Sequence, residues 1–237
     1  MAEQNGSVNK NALSIPEVIP ILPLQNVLVF PKTMIPLEVT GSASVLVDEA
    51  MTKDRLVGLI MAKKEPETSQ QFKKEELHAV GTCAMIMKMA KTSEHNTQLL
   101  LQGVSRFSIE EMVEGKPYQQ ARINVIEEKE SKDIETEALV SNLLSLFDKI
   151  LKLSPFLPPE FGPMAKSITD AGILADLIAS IINAPVEEKQ KILDIADVKE
   201  RLKELTRMVN SSEETKYEIA HELGLERSNI IAMFKQG

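Results

Sequence analysis

The stretch Leu22 to Val39, LPLQNVLVFPKTMIPLEV, constrains the fold more than any other part of this chain. Its Val, Leu, Ile and Phe content suits a β-sheet. Yet Pro23, Pro31 and Pro36 interrupt it, and Pro20 stands just before. Proline has no N–H for a ladder and belongs at edges, strand starts and bulges. A flat, many-stranded sheet cannot accept that spacing. A small rolled-up sheet can, because it has corners where pairing must stop and the chain must bend. The prolines are read as bending devices within one β domain.

The next segments agree. VLVF (27–30) and LVGLIM (56–61) are short apolar runs. GTCAMIMKM (81–89) and QLLLQG (98–103) flank a polar loop, as in a hairpin. RFSIEEMV (106–113) precedes a Gly115–Pro117 break, and YQQARINVIEE (118–128) alternates apolar and polar residues. One helix is expected over 42–54, with Val45, Leu46, Glu49 and Ala50 at helical spacing.

Near Lys129 the period changes from two to 3.6. Leu139, Leu143, Leu146, Phe147 and Ile150 form one helical stripe. The segment 154–163 holds four prolines and reads as a loop. Leu174, Leu177, Ile178, Ile181 and Ile182 then share a face within a helix expected over 164–183. Pro185 opens a further helix, and Asp197 with Glu200 has the spacing of a capping box for the next. The expected class is α+β: a β-barrel or rolled sheet followed by an α-helical bundle. The expected units are a disordered N-terminus (1–14), a β-rich domain (15–128), a helical subdomain (129–210) and a tail (211–237).

Signals of chemistry are missing from the sequence. There is no G-x-x-x-x-G-K-[ST] phosphate cradle and no G-x-G-x-x-G. His78, His95 and His221 are scattered, and Cys83 is the single cysteine, so no Cys/His spacing suits zinc. Cys83 lies in an apolar strand, where a thiol is usually inert packing. Neither a catalytic residue, a metal nor a cofactor is expected. One cysteine, no apolar leader and no run of about 20 apolar residues point to a soluble cytoplasmic protein with no membrane partner. A net charge of −8 repels phosphate backbones.

The tail differs from the rest. TKYEIAHELGLERSNIIAMFK (215–235) resembles the helix-turn-helix of small phage-type repressors, with Ala220 and Gly224 at the close-packing and turn positions. Under that alternative the chain is a DNA-binding regulator, and Ser228, Asn229 and Lys235 are its contact candidates. Five glutamates against three basic residues over 211–237 weigh against it.

Five motifs in order carry a further resemblance: LPLQNVLVFPKTMIPLEV (22–39), VGTCAMI (80–86), LLLQGVSRFSIEEM (99–112), YQQARI (118–123) and ADLIASIINAPVEEKQKILDIADVKERLKEL (175–205). Together they resemble the N-terminal substrate-binding domain of Lon proteases. The resemblance implies a PUA-like barrel with a helical subdomain. It implies a non-catalytic module of protein quality control that binds unfolded or tagged polypeptides, alongside self-association or an ATPase/protease partner. The Walker-type ATPase and Ser–Lys peptidase motifs of that family do not occur here. Pro23, Pro31, Pro36, Gly81, Gly103, Arg106 and Phe107 are expected to be structural members of the motifs. Arg106 is expected to tie loop carbonyls together.

Polypeptide capture requires an adaptable apolar surface, and the chain has 11 methionines but no Trp. The candidates are Phe30, Met34, Met85, Met87 and Met89. In a regular strand Met85, Met87 and Met89 share one face. The competing reading is that this face is the barrel interior.

Overall fold

The computed structural model describes residues 14–64, 72–92, 96–129, 132–153 and 157–211. Among the described residues, six strands, six α-helices and one short 3-10 helix (Lys74–Glu76) follow one another in an order that changes from mostly β to all α. The strands are β1 (Val18–Leu24), β2 (Met34–Thr40), β3 (Leu56–Met61), β4 (Val80–Lys91), β5 (Asn96–Val113) and β6 (Gln120–Val125). Helix α1 (Ser42–Thr52) lies between β2 and β3. The helical half holds α2 (Ile134–Leu153), α3 (Phe161–Ser167), α4 (Ala171–Ile181), α5 (Val186–Asp194) and α6 (Val198–Ser211).

Strand β5 organises the sheet because it is 18 residues long. Its second half pairs with β6, and β6, β1, β3 and β4 lead back to β5, so five strands close into a barrel. Its first half runs past the barrel and pairs with β2 on one side and β4 on the other. The result is a three-stranded extension, β2–β5–β4, with β2 at its edge. All pairings are antiparallel except β1 with β3.

The prolines find places where one side of the ladder is open. Pro20 pairs only with β6, whereas Pro23 pairs only with β3, because β1 changes partner between Pro20 and Ile21. Pro36 lies in the edge strand. Pro31 precedes a turn in which Lys32 has φ 61. The expected strand VLVF (27–30) is not a strand. It is a buried crossing loop, and the Thr82 hydroxyl donates to the Val29 carbonyl at 2.6 Å in place of a ladder bond. The strands expected at 98–103 and 106–113 are one continuous strand. The helix expected over 164–183 is two, because Asp170 caps a fresh start by accepting from the Ile173 N–H at 2.8 Å.

Three apolar clusters form. Ile19, Ile21, Leu56, Ile60, Cys83, Phe107, Ala121 and Ile123 come from all five barrel strands and fill the interior. Val57, Leu59, Ala84, Ile86, Leu99 and Leu101 lie on the outer side of the wall and are covered by Leu46, Val47 and Ala50 of α1. Leu143, Phe147, Leu174, Ile178, Leu202 and Leu205 make the helical core, which Phe30 and Val80 of the β half enter.

Candidate functional site

No described residue packs over the face of the β2–β5–β4 extension opposite α1. Cross-strand partners project from the same face. Leu101, Leu99 and their partners Ile35, Leu37, Ile86 and Met89 pack towards α1. The alternating rows therefore point the other way. One row is Pro36, Leu100 and Lys88; the next is Glu38, Gln98 and Ala90; Met34 and Gln102 belong to a third. This face continues the inner side of the barrel wall, since Cys83 and Met85 on the same strand join the interior cluster. Pro36, Glu38, Lys88, Ala90, Gln98 and Leu100 line an open cleft of about 570 Å³. Leu100 forms the apolar centre of its floor beside Gln98, with Pro36 and Ala90 adjoining, and Lys88 and Glu38 stand on opposite sides without a partner among the described residues.

The methionines do not share a face. A β-bulge between Ile86 and Lys88 inserts Met87 as an extra residue and reverses the alternation beyond it. Met85 packs against the barrel interior, and Met89 packs against the α1 side. Met87 is 42% exposed and Met34 55% exposed. Phe30 is fully buried in the helical core, so it presents no surface to another chain.

Gly81 and Gly103 are required by close approach. A Cβ on Gly81 would stand 2.5 Å from the Leu59 carbonyl oxygen and 2.8 Å from the Phe107 ring, which fills the barrel. A Cβ on Gly103 would stand 2.2 Å from the Phe30 carbonyl oxygen. The Gly103 N–H donates to Thr33 O and its carbonyl accepts from the Lys32 N–H, both at 2.9 Å. The loop leading to β2 is thereby clamped onto β5.

Arg106, only 1% exposed, points from β5 into the helical half. Its Nε donates to the Leu193 carbonyl at 2.9 Å. Its Nη1 and Nη2 grip Asp176 at 2.8 and 2.6 Å, and Nη1 also reaches Glu128 Oε1 at 2.5 Å. Arg201 is equally buried and meets the same two carboxylates at 3.1 and 3.2 Å, while its Nε donates to Ile195 O. Two guanidinium groups and two carboxylates thus balance in a cluster joining β5, the linker after β6, α4 and α6, in which Arg106, Arg201 and Asp176 are buried and Glu128 is partly exposed. The linker is held further by Lys129, which bonds Ala196 O and the Val198 N–H. Sequence reasoning missed Asp176, Arg201 and Glu128. The available signal was Asp176 itself, a lone carboxylate within the apolar run AGILADLIASI, which needs a counter-ion when buried.

Burial pushes the Cys83 thiol up to about 12, far from a reactive thiolate. Burial lowers the pKa of His78. No cluster of His, Cys, Asp and Glu suited to a metal occurs among the described residues, and no helix among them is long and apolar enough to cross a membrane. His95, Ser228, Asn229, Lys235, residues 1–13 and the tail from residue 212 lie outside the described residues.

Residues 18–211 match the family described as the ATP-dependent protease La (LON) substrate-binding domain. The chain belongs to that family. It is 48% identical over 213 residues to the Lon protease of Syntrophus aciditrophicus (strain SB), covering 89% of this chain and 27% of that protein. It is 42% identical over 207 residues to the Lon protease of Desulfosudis oleivorans, covering 87% and 25%. The chain therefore spans about a quarter of the length of these Lon relatives. Its fold is that of the N-terminal domain of a Mycobacterium avium complex Lon protease, with a TM-score of 0.66, 21% identity, and coverage of 82% of this chain and 98% of that one. The Lon N-terminal domain protein from Xanthomonas campestris superposes with a TM-score of 0.57 at 16% identity, over 79% and 96% of the two chains.

Proposed function

We propose that this Lon-type domain captures extended apolar segments of unfolded or tagged polypeptides on the open face of the β2–β5–β4 extension. The observation that carries this is the placement of exposed apolar side chains. Met34 and Met87, with Pro36, Leu100 and Ala90 between them, lie on or beside one sheet face over which no described residue packs. Methionine adapts its shape to many partners, so such a face tolerates varied sequences. The family supports the same reading, because the matched region is a substrate-binding domain. The domain acts as a binding module and not as an enzyme, and it works in the cytoplasm beside an ATPase and protease that process what it holds.

The clamp at Gly103 and the charge cluster hold the cleft rigid relative to the helical half. Little order then remains to be imposed on the domain when a flexible chain binds.

The test is a titration of a labelled, permanently unfolded polypeptide, followed by fluorescence anisotropy. Binding at tens of micromolar or tighter is expected. Leu100→Asp should weaken it roughly 10- to 100-fold, the loss of one leucine's apolar contact plus a buried charge. Leu100 is half-buried on the open face, so the far-UV circular dichroism should be retained. No binding by the parent protein, or unchanged binding by a folded Leu100→Asp variant, overturns the proposal.

A further inference from the structure

We infer that the cleft selects its ligand by charge pattern as well as by apolarity: it takes an extended apolar segment bracketed by one acidic and one basic residue. The inference rests on reading this face as a polypeptide-binding surface.

Lys88 on β4 and Glu38 on β2 are both exposed and stand on opposite sides of the cleft lined by Leu100, Gln98 and Pro36. Their strands are separated by β5, which places their backbones about 10 Å apart across the sheet, and they belong to adjacent rows. The diagonal is about 12 Å, beyond the Debye length at physiological salt, so neither neutralises the other. Neither forms an ion pair or hydrogen bond with another described residue. Neighbouring charges behave differently. Lys91, on the other face of β4, pairs with Asp48 at 2.9 Å, and Lys53 pairs with Glu49 at 2.8 Å. The cleft thus carries one cation and one anion, neither paired with a described residue, on either side of Leu100.

A chain lying across these strands advances about 3.3 Å per residue, so a span of about 12 Å separates residues three or four positions apart. A carboxylate near Lys88 and an ammonium or guanidinium near Glu38 complete both pairs at once, with two or three apolar residues over Leu100. Two like charges on the ligand satisfy one side and are repelled by the other. Two exposed ion pairs distinguish these cases by about 3- to 20-fold at low salt, and the difference fades as salt is raised.

The experiment uses the full chain and four peptides of one apolar core, flanked four positions apart by Glu and Lys, Glu and Glu, Lys and Lys, or Gln and Gln. Affinities are measured at low and high salt. The parent should bind the Glu/Lys peptide tightest at low salt, with the order collapsing at high salt. K88E should move the preference to the Lys/Lys peptide, and E38K to the Glu/Glu peptide. The K88E/E38K exchange should restore the Glu/Lys preference. K149E, which makes the same change of net charge on α2, should leave the parent's order intact. If all four peptides bind equally and no exchange alters their order, the charge reading is wrong while apolar capture stands. If none binds, the capture reading itself fails.

Discussion

Replacing Arg106 by Met isolates what joins the two halves of this domain. Methionine keeps much of the aliphatic bulk and removes the guanidinium. Four hydrogen bonds disappear, to Leu193 O, Glu128 and both oxygens of Asp176. Asp176, whose side chain is 2% exposed, is left with only Arg201 Nη1 at 3.2 Å. The cluster changes from two positive and two negative groups to one against two. Stranding one partner of a buried pair costs about 3–5 kcal/mol, against a typical total of about 5–15 kcal/mol for a domain. With a urea slope of about 2 kcal/mol per M, the unfolding midpoint should fall by about 1.5–2.5 M. Adding Asp176→Leu to Arg106→Met rebalances the site, because Glu128 and Arg201 remain paired at 3.1 Å. The double variant should recover to within about 1–2 kcal/mol of the parent and be more stable than either single one. The assay is urea denaturation followed by far-UV circular dichroism. A loss below about 1 kcal/mol for Arg106→Met, or a double variant whose cost is the sum of the two singles, would refute the idea of a charge-balanced cluster.

Two other perturbations test the β half. Gly103→Ala places a methyl group 2.2 Å from the Phe30 carbonyl, so the crossing loop must move, and overpacking of this kind costs about 1–3 kcal/mol; a thermal melt unchanged from the parent would contradict the clamp. Glu49 is held at a pKa of about 2, first by the Lys53 ammonium and also by Lys116. A depressed carboxylate contributes stability that is present above its unfolded value near 4.5 and lost as pH falls through about 2. Glu49→Gln should therefore flatten the acid limb of the stability curve between those values, and an identical limb in the variant would show that Glu49 has no part in it.

The parts legible in the sequence were those set by local pattern. The run LVGLIM is β3 to the residue, and Asp197 does cap α6, accepting from the Glu200 N–H at 3.1 Å. The period change near Lys129 marked the passage from strands to helices, because a two-residue and a 3.6-residue repeat need different faces. What failed depended on distant partners. VLVF has strand composition, but both sides of it are occupied by packing, so no ladder forms. The bulge at Met87 has no local signature; it is set by the register of β4 against β5, and it moved Met89 to the opposite face. Arg106 was expected to tie loop carbonyls together. It does bond one, at Leu193, but most of its donors go to carboxylates 22 and 70 residues away. A spacing rule sees the arginine and cannot see its partners.

If the extension captures polypeptides as proposed, Pro36 favours its face over its edge. Strand β2 has no neighbouring strand on its outer side among the described residues, and an incoming chain would ordinarily extend such an edge by backbone pairing. A proline within a ladder must turn its nitrogen away from the strand it pairs with, here β5. The missing donor thus falls on the outer edge, in the middle of β2. Any added strand, including a second copy of β2, loses a hydrogen bond there and meets the pyrrolidine ring. The same ring contributes apolar surface to the cleft beside Leu100. On the proposed reading, one residue closes the route that binds backbone without regard to side chains and adds to the face proposed to bind side chains, which is the division a domain needs if it is to take apolar segments without polymerising with itself.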